Sequence, residues 1–214
     1  MRNWCIVCVL AVLWGHAAIA QTTRHYELQS NNAERIAILD FNAAYNGSEF
    51  GRRIQSEYTL ANQQLVRQNR YFDCLLEKEE RLIADAKPSL DDQSFARRRD
   101  AFTDKADQRR RIQDTKVALV GEWAESEVAR FRESIAHVSG EVARDRDLDA
   151  IILDNEVVWY DRRFELSWLF VQLLNRDFGD GTGDGYISAA DYSRLAADIA
   201  DEADPDCAAE LNPS

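Results

Sequence analysis

With 214 residues and 26 Lys and Arg against 38 Asp and Glu, the chain carries a formal charge of −12, which excludes nucleic acid as a partner for the chain as a whole. The charge is uneven: residues 51–116 hold 15 basic and 12 acidic side chains, whereas residues 117–214 hold 8 and 22. A mildly basic middle adjoins a strongly acidic C-terminal part, and solvated helix faces account for much of both.

Residues 1–20 read as a secretory signal peptide. Arg2 supplies the positive start, Trp4–Trp14 an apolar stretch, and Ala18-Ile19-Ala20 a small-x-small cleavage signal. That stretch is too short to span a membrane, and no later segment approaches the roughly 18 apolar residues a span needs. Export and cleavage after Ala20 are therefore expected. Residues 21–33 are polar and aperiodic, a mobile lead-in. Arg35–Phe41 (RIAILDF) suits a short buried strand, and Asn46, Gly47 and Ser48 turn the chain into a helix.

Residues 48–147 form a long polar helical run broken once near Lys87 and Pro88, which predicts two antiparallel helices in a hairpin. In the first, steps of three and four pass through Ile54, Tyr58, Ala61, Leu65, Gln68, Phe72, Leu75, Glu79, Leu82 and Ala86, a narrow seam for a partner helix. Ser89 is the expected cap of the second, with Asp92 in its first turn. The base of that helix carries Val128, Phe131, Ile135, Val138 and Val142. Between Ala106 and Lys116 the seam weakens to Ile112 and the run Arg109, Arg110, Arg111. A helix of roughly 58 residues would be on the order of 85 Å long, so the hairpin is a protruding arm, flexible at its tip.

After the arm, Leu148–Asp154 and Val157–Tyr160 read as two strands joined tightly through Asn155 and Glu156, and Phe164–Asn175 as a helix apolar over a wide face. Three short strands and one helix cannot close a core alone, which points to assembly of several subunits at the arm base. From Asp180 the sequence DGTGDGYISAAD is similar to a single calcium loop of the EF-hand or dockerin type. Asp180, Thr182 and Asp184, the carbonyl of Tyr186 and Asp191 stand as candidate metal ligands, with Gly185 at the sharp turn. A Gly-rich turn ahead of a docking helix through Tyr192, Leu195 and Ile199 explains the same residues, so residues 177–203 are read as an EF-hand-like loop and helix. Residues 204–214 read as a disordered acidic tail. Cys5 and Cys8 belong to the leader, leaving Cys74 and Cys207, a pattern unlike a disulfide framework; whether either forms a bond, within or between chains, stays open. His16, His25 and His137 lie in the leader, the lead-in and the arm, so no catalytic constellation is expected.

The order strand, long hairpin, two strands and closing helix resembles the Skp/OmpH family of periplasmic chaperones. The residues that carry the resemblance are RIAILDFNAAYNGSEFGRRI and DLDAIILDNEVVWYDRRFELSWLFVQLL, within residues 34–176. It implies a mainly α fold: a coiled-coil arm on a small β-containing body, residues 34–47 and 148–176. It also implies a homotrimer joined through Ile36, Ile38, Ile151, Leu153, Val158 and Tyr160. Three arms would surround unfolded outer-membrane proteins in the periplasm, with no enzymatic activity and no required cofactor. On the arm, Tyr71, Phe72, Leu76, Ile83, Phe95 and Phe102, with Arg98 and Arg109, are the candidate client contacts, since weak apolar and guanidinium contacts at many points suit a holdase. The acidic balance departs from the family and leaves only weak membrane contact expected. The competing expectation is a secreted coiled-coil adaptor whose calcium-loaded tail docks on a partner.

Overall fold

The computed structural model describes residues 35–196 and 204–211. The signal peptide over 1–20, the lead-in over 21–33 and Ile199 lie outside the described residues. The protein is mainly α, with long helices and one small sheet. Among the described residues no helix is long and apolar enough to cross a membrane.

Strand β1 (Ile36–Leu39) pairs in parallel with β2 (Ala150–Leu153), Ile36 opposite Ala150 and Leu39 opposite Leu153. The whole hairpin is the crossover that parallel pairing requires. Register is pinned at the open end, where the Arg35 guanidinium donates to both oxygens of Asp149 at 2.8 and 3.0 Å and also reaches Asp147.

Asp40 caps α1 (Phe41–Gly47), and the Ser48 hydroxyl then accepts from the Gly51 amide to start α2 (Glu49–Ala86). A β-carbon at Gly51 would lie 1.8 Å from the Tyr45 carbonyl oxygen, so this tight corner needs glycine. A 3₁₀ turn over Lys87–Ser89 contains Pro88 and ends the first limb. The cap of α3 (Asp92–Arg146) is Asp91, whose carboxylate accepts from the Ser94 amide. Ser89, expected in that role, instead donates its hydroxyl to the Ala86 carbonyl and closes the first helix.

At 55 residues α3 is about 82 Å long, while the 38 residues of α2 reach about 57 Å. The surplus of α3 forms one wall of the body. Phe131 is fully buried there and meets the rings of Phe41, Tyr45 and Phe50 edge-on, with centroids 5.7, 5.1 and 5.6 Å away. Ile135, Val138 and Val142 continue this face against Phe170 and Leu174 of α4 (Ser167–Asp177). Two backbone ties fix α4 to the sheet: Leu166 N–H donates to the Ile38 carbonyl, and Asp40 N–H to the Ser167 hydroxyl.

The third expected strand does not form. After a 3₁₀ turn over Asp154–Glu156, residues 157–161 have no regular structure, Val158 is fully exposed and Trp159 is 80% exposed. β-branched and aromatic residues favour strands only where a neighbour pairs with them, and among the described residues no strand pairs with Val157–Tyr160.

Candidate functional site

The arm seam on α3 runs through Arg109, Gln113, Lys116, Val120, Trp123, Glu127 and Phe131, all buried at steps of three and four. Opposite them on α2 lie Ile54, Ala61 and Leu65. Apolar contact holds the proximal part, and polar contact takes over further out. Lys116 reaches the Gln68 side-chain oxygen at 3.4 Å, the Arg109 guanidinium lies 5.0 Å from the Phe72 ring centre, and Lys105 pairs with Glu79 at 2.8 Å. The buried side-chain amide of Gln113 has no hydrogen-bond partner among the described residues, which weakens the seam at this level.

Six of the eight expected client contacts remain accessible: Phe72, Leu76, Ile83, Phe95 and Phe102 are half-buried and Arg98 is exposed. Two are not. Arg109 is 3% exposed because it fills the seam beneath Phe72, and Tyr71 is buried under the C-terminal segment. Tyr58 and Leu82, expected inside the seam, are instead exposed, as are Leu60, Val66 and Val117. Tyr58 and Val66 line a shallow groove with Arg67 and Arg70. The sequence pattern hid this face because it placed Tyr58 in the seam, while Val66, Arg67 and Arg70 fall between the seam positions.

Tyr58 is displaced because its neighbour Glu57 has work at the arm base. Arg53, with a side chain only 9% exposed, pairs with the equally buried Glu127 and with Glu57, and donates to the Asp180 carbonyl at 2.6 Å and the Tyr186 hydroxyl at 2.9 Å. The Tyr186 hydroxyl donates in turn to Glu57, whose second oxygen accepts from the Ala189 amide. Burial first, and the Glu57 contact second, push the Tyr186 phenol well above its ordinary range, so it stays a donor at neutral pH. Trp123 donates its indole N–H to the Ile187 carbonyl at 2.9 Å, and Arg130 a guanidinium N–H to the Gly181 carbonyl at 3.0 Å. Gly181 has φ of 76° and packs so closely that a β-carbon would lie 2.5 Å from the Phe50 ring.

Residues 180–191 are thus strapped onto the arm base by their own carbonyls. Of the candidate metal ligands, Asp180 accepts from the Thr182 hydroxyl and amide, which hold its carboxyl below the ordinary range. Asp191 accepts from the Ser188 hydroxyl and pairs with Arg194 at 2.7 Å. Tyr186 turns its side chain to the arm and Asp184 is exposed. Among the described residues no group of three His, Cys, Asp or Glu could hold a metal ion. Ser188 caps α5 (Ala189–Ser193), which lies on both arm helices.

The segment read as a disordered tail is ordered over residues 204–211, with a 3₁₀ turn at Ala208–Glu210. Cys207 is fully buried and forms a disulfide with Cys74 of α2, 133 residues away. Lys78 donates to Asp204 at 2.7 and 2.9 Å and to Asp206 at 2.7 Å, and the Asp204 amide donates to the Tyr71 hydroxyl at 3.2 Å. Two cysteines so far apart leave no spacing signal, which is why sequence reasoning missed this clasp.

Of the expected interface residues, Ile38 is buried within the chain, whereas Ile36, Ile151, Leu153 and Tyr160 are half-buried and Val158 is fully exposed. The fold is similar to the crystal structure of a "putative outer membrane chaperone (OmpH-like)" from Caulobacter crescentus CB15. The TM-score is 0.64, the identity 13%, and the match covers 71% of this chain and 89% of that one. No family model matches the sequence, and no curated protein matches it.

Proposed function

We propose that this protein is an exported, ATP-independent holdase that shields unfolded outer-membrane β-barrel polypeptides from aggregation. The observation that carries the reading is the outer arm. Beyond Gln68 and Lys116 the two helices share little apolar seam, which leaves Phe72, Leu76, Ile83, Phe95 and Phe102 half-covered among arginines. Such a surface offers many weak apolar and guanidinium contacts. The fold shared with an OmpH-like protein supports the same reading. Three copies would join at the body, where the two-stranded sheet ends beside the exposed Val158 and Trp159.

The test is dilution of a urea-unfolded porin into buffer with equimolar protein. Light scattering should stay low with the wild type and rise with Phe95→Ser/Phe102→Ser, a variant that leaves the packed base intact. Unchanged scattering with the wild type ends the reading.

Calcium at residues 180–191 is a second proposal, supported by Gly185 at φ of 78°, where the sixth position of a calcium loop turns, and by Ser188, in the ninth position, capping the exit helix. It requires Asp180 and Asp191 to give up Thr182 and Arg194.

A further inference from the structure

We infer that residues 204–211 form a redox-released cover over part of the arm's binding surface, latched by the Cys74–Cys207 disulfide. The client-binding half of this inference rests on the holdase reading; the latch itself does not.

Three observations converge on it. The first is position: the segment lies on α2 at Tyr71, Cys74 and Lys78, next to Phe72 and Leu76. Its Asp204 amide donates to the hydroxyl of Tyr71, which is buried. The second is chemistry: Asp204 and Asp206 of the cover occupy the ammonium of Lys78, the cation on the stretch of α2 beneath them. The third is that the ion pairs holding it among the described residues are open to water. The Lys78 side chain is 34% exposed, that of Asp204 28% and that of Asp206 80%, and pairs so open to water and salt contribute little. The covalent bond closes a loop with a sequence separation of 133 residues, so it removes a large entropic cost of keeping the cover in place.

A dithiol reductant of the exported compartment supplies the chemistry. Cys207 is fully buried whereas Cys74 is half-buried, so the reductant's thiolate attacks Sγ of Cys74 and Cys207 leaves as a thiolate that takes up a proton. The reductant's second thiolate then displaces Cys74 from the mixed disulfide. The reductant departs as a disulfide, and the protein gains two electrons and two protons. Freed of its tether, the cover dissociates and Tyr71 and Lys78 join the open surface beside Phe72.

The experiment uses the full chain in three forms: oxidised, reduced with dithiothreitol, and Cys74→Ser/Cys207→Ser. Amide hydrogen exchange reads residues 204–211, hydroxyl-radical labelling reads Tyr71, and fluorescence anisotropy reads the affinity for a labelled unfolded porin in dilute urea. In the reduced and Ser forms, exchange in 204–211 should be at least about tenfold faster, Tyr71 labelling should rise, and the porin should bind about three- to tenfold more tightly. Reoxidation should reverse all three in the wild type, which guards against a misfolded variant. Equal protection in all three forms overturns the latch, and release without Tyr71 labelling overturns the cover. Release and labelling with unchanged porin affinity overturn its placement on a client surface. If no form binds porin while release and labelling occur, the redox cover stands and the holdase reading falls.

Discussion

Arg53 and Glu127 are buried together at the arm base, and each satisfies the other along with the strap above them. Removing one partner strands a charge in a dry site, so Glu127→Ala should destabilise the protein by about 3–5 kcal/mol in a urea titration. The clasp at Lys78 is different because it is open to solvent. Asp204 is held below the ordinary carboxylate range chiefly by its hydrogen bond from Lys78, and Lys78 is held above its own chiefly by Asp204. A lowered carboxylate contributes its stability above its unfolded value and loses it as pH falls through the folded one. A raised ammonium contributes below its unfolded value and loses it as pH rises through the folded one. Exchange protection of residues 204–211 in the oxidised wild type should therefore be flat between about pH 5 and 9 and fall below about pH 4. At this scale the outcome was partly legible. Phe72, Phe95 and Arg98 were legible as accessible, but the burial of Tyr71 depends on residues 133 positions away, and no local pattern encodes it.

Between elements, α3 was legible where its own apolar residues decide the outcome. Phe131, Ile135, Val138 and Val142 follow one stripe and bury one face. The α2 pattern misled at Tyr58, because a step from Ile54 to Tyr58 is as good as one to Glu57 until the C-terminal strap supplies Tyr186 and Ala189 as partners for the carboxylate. The strand at 157–160 misled for the opposite reason: its composition is right and its partner is missing. The strap also carries the calcium proposal, and the two roles can be separated. Calorimetric titration of the full chain with calcium chloride should give saturable heat, which Asp191→Asn removes while thermal stability without calcium stays close to wild type. No heat in the wild type confines residues 180–191 to fastening the arm.

Seen whole, a body of two paired strands and two short helices carries an arm no longer than about 57 Å, the length of α2, and exposes Val158 and Trp159 beside the sheet. Isolated two-stranded sheets are marginal in water, so the proposed trimer should depend on that edge. Trp159→Glu should convert the trimer to monomers in sedimentation velocity; a wild type already monomeric would remove the shared body.

The parallel pairing of Ile36–Leu39 with Ala150–Leu153 has a kinetic corollary. Those partners are separated by more than a hundred residues, and bringing such distant segments together is slow unless local structure shortens the path. The coiled limbs, built mostly from near-neighbour contacts, supply that shortcut by folding back at Pro88. Maturation should therefore run from zipped limbs to joined strands, and in the proposed trimer copies would meet only after each has raised its own arm.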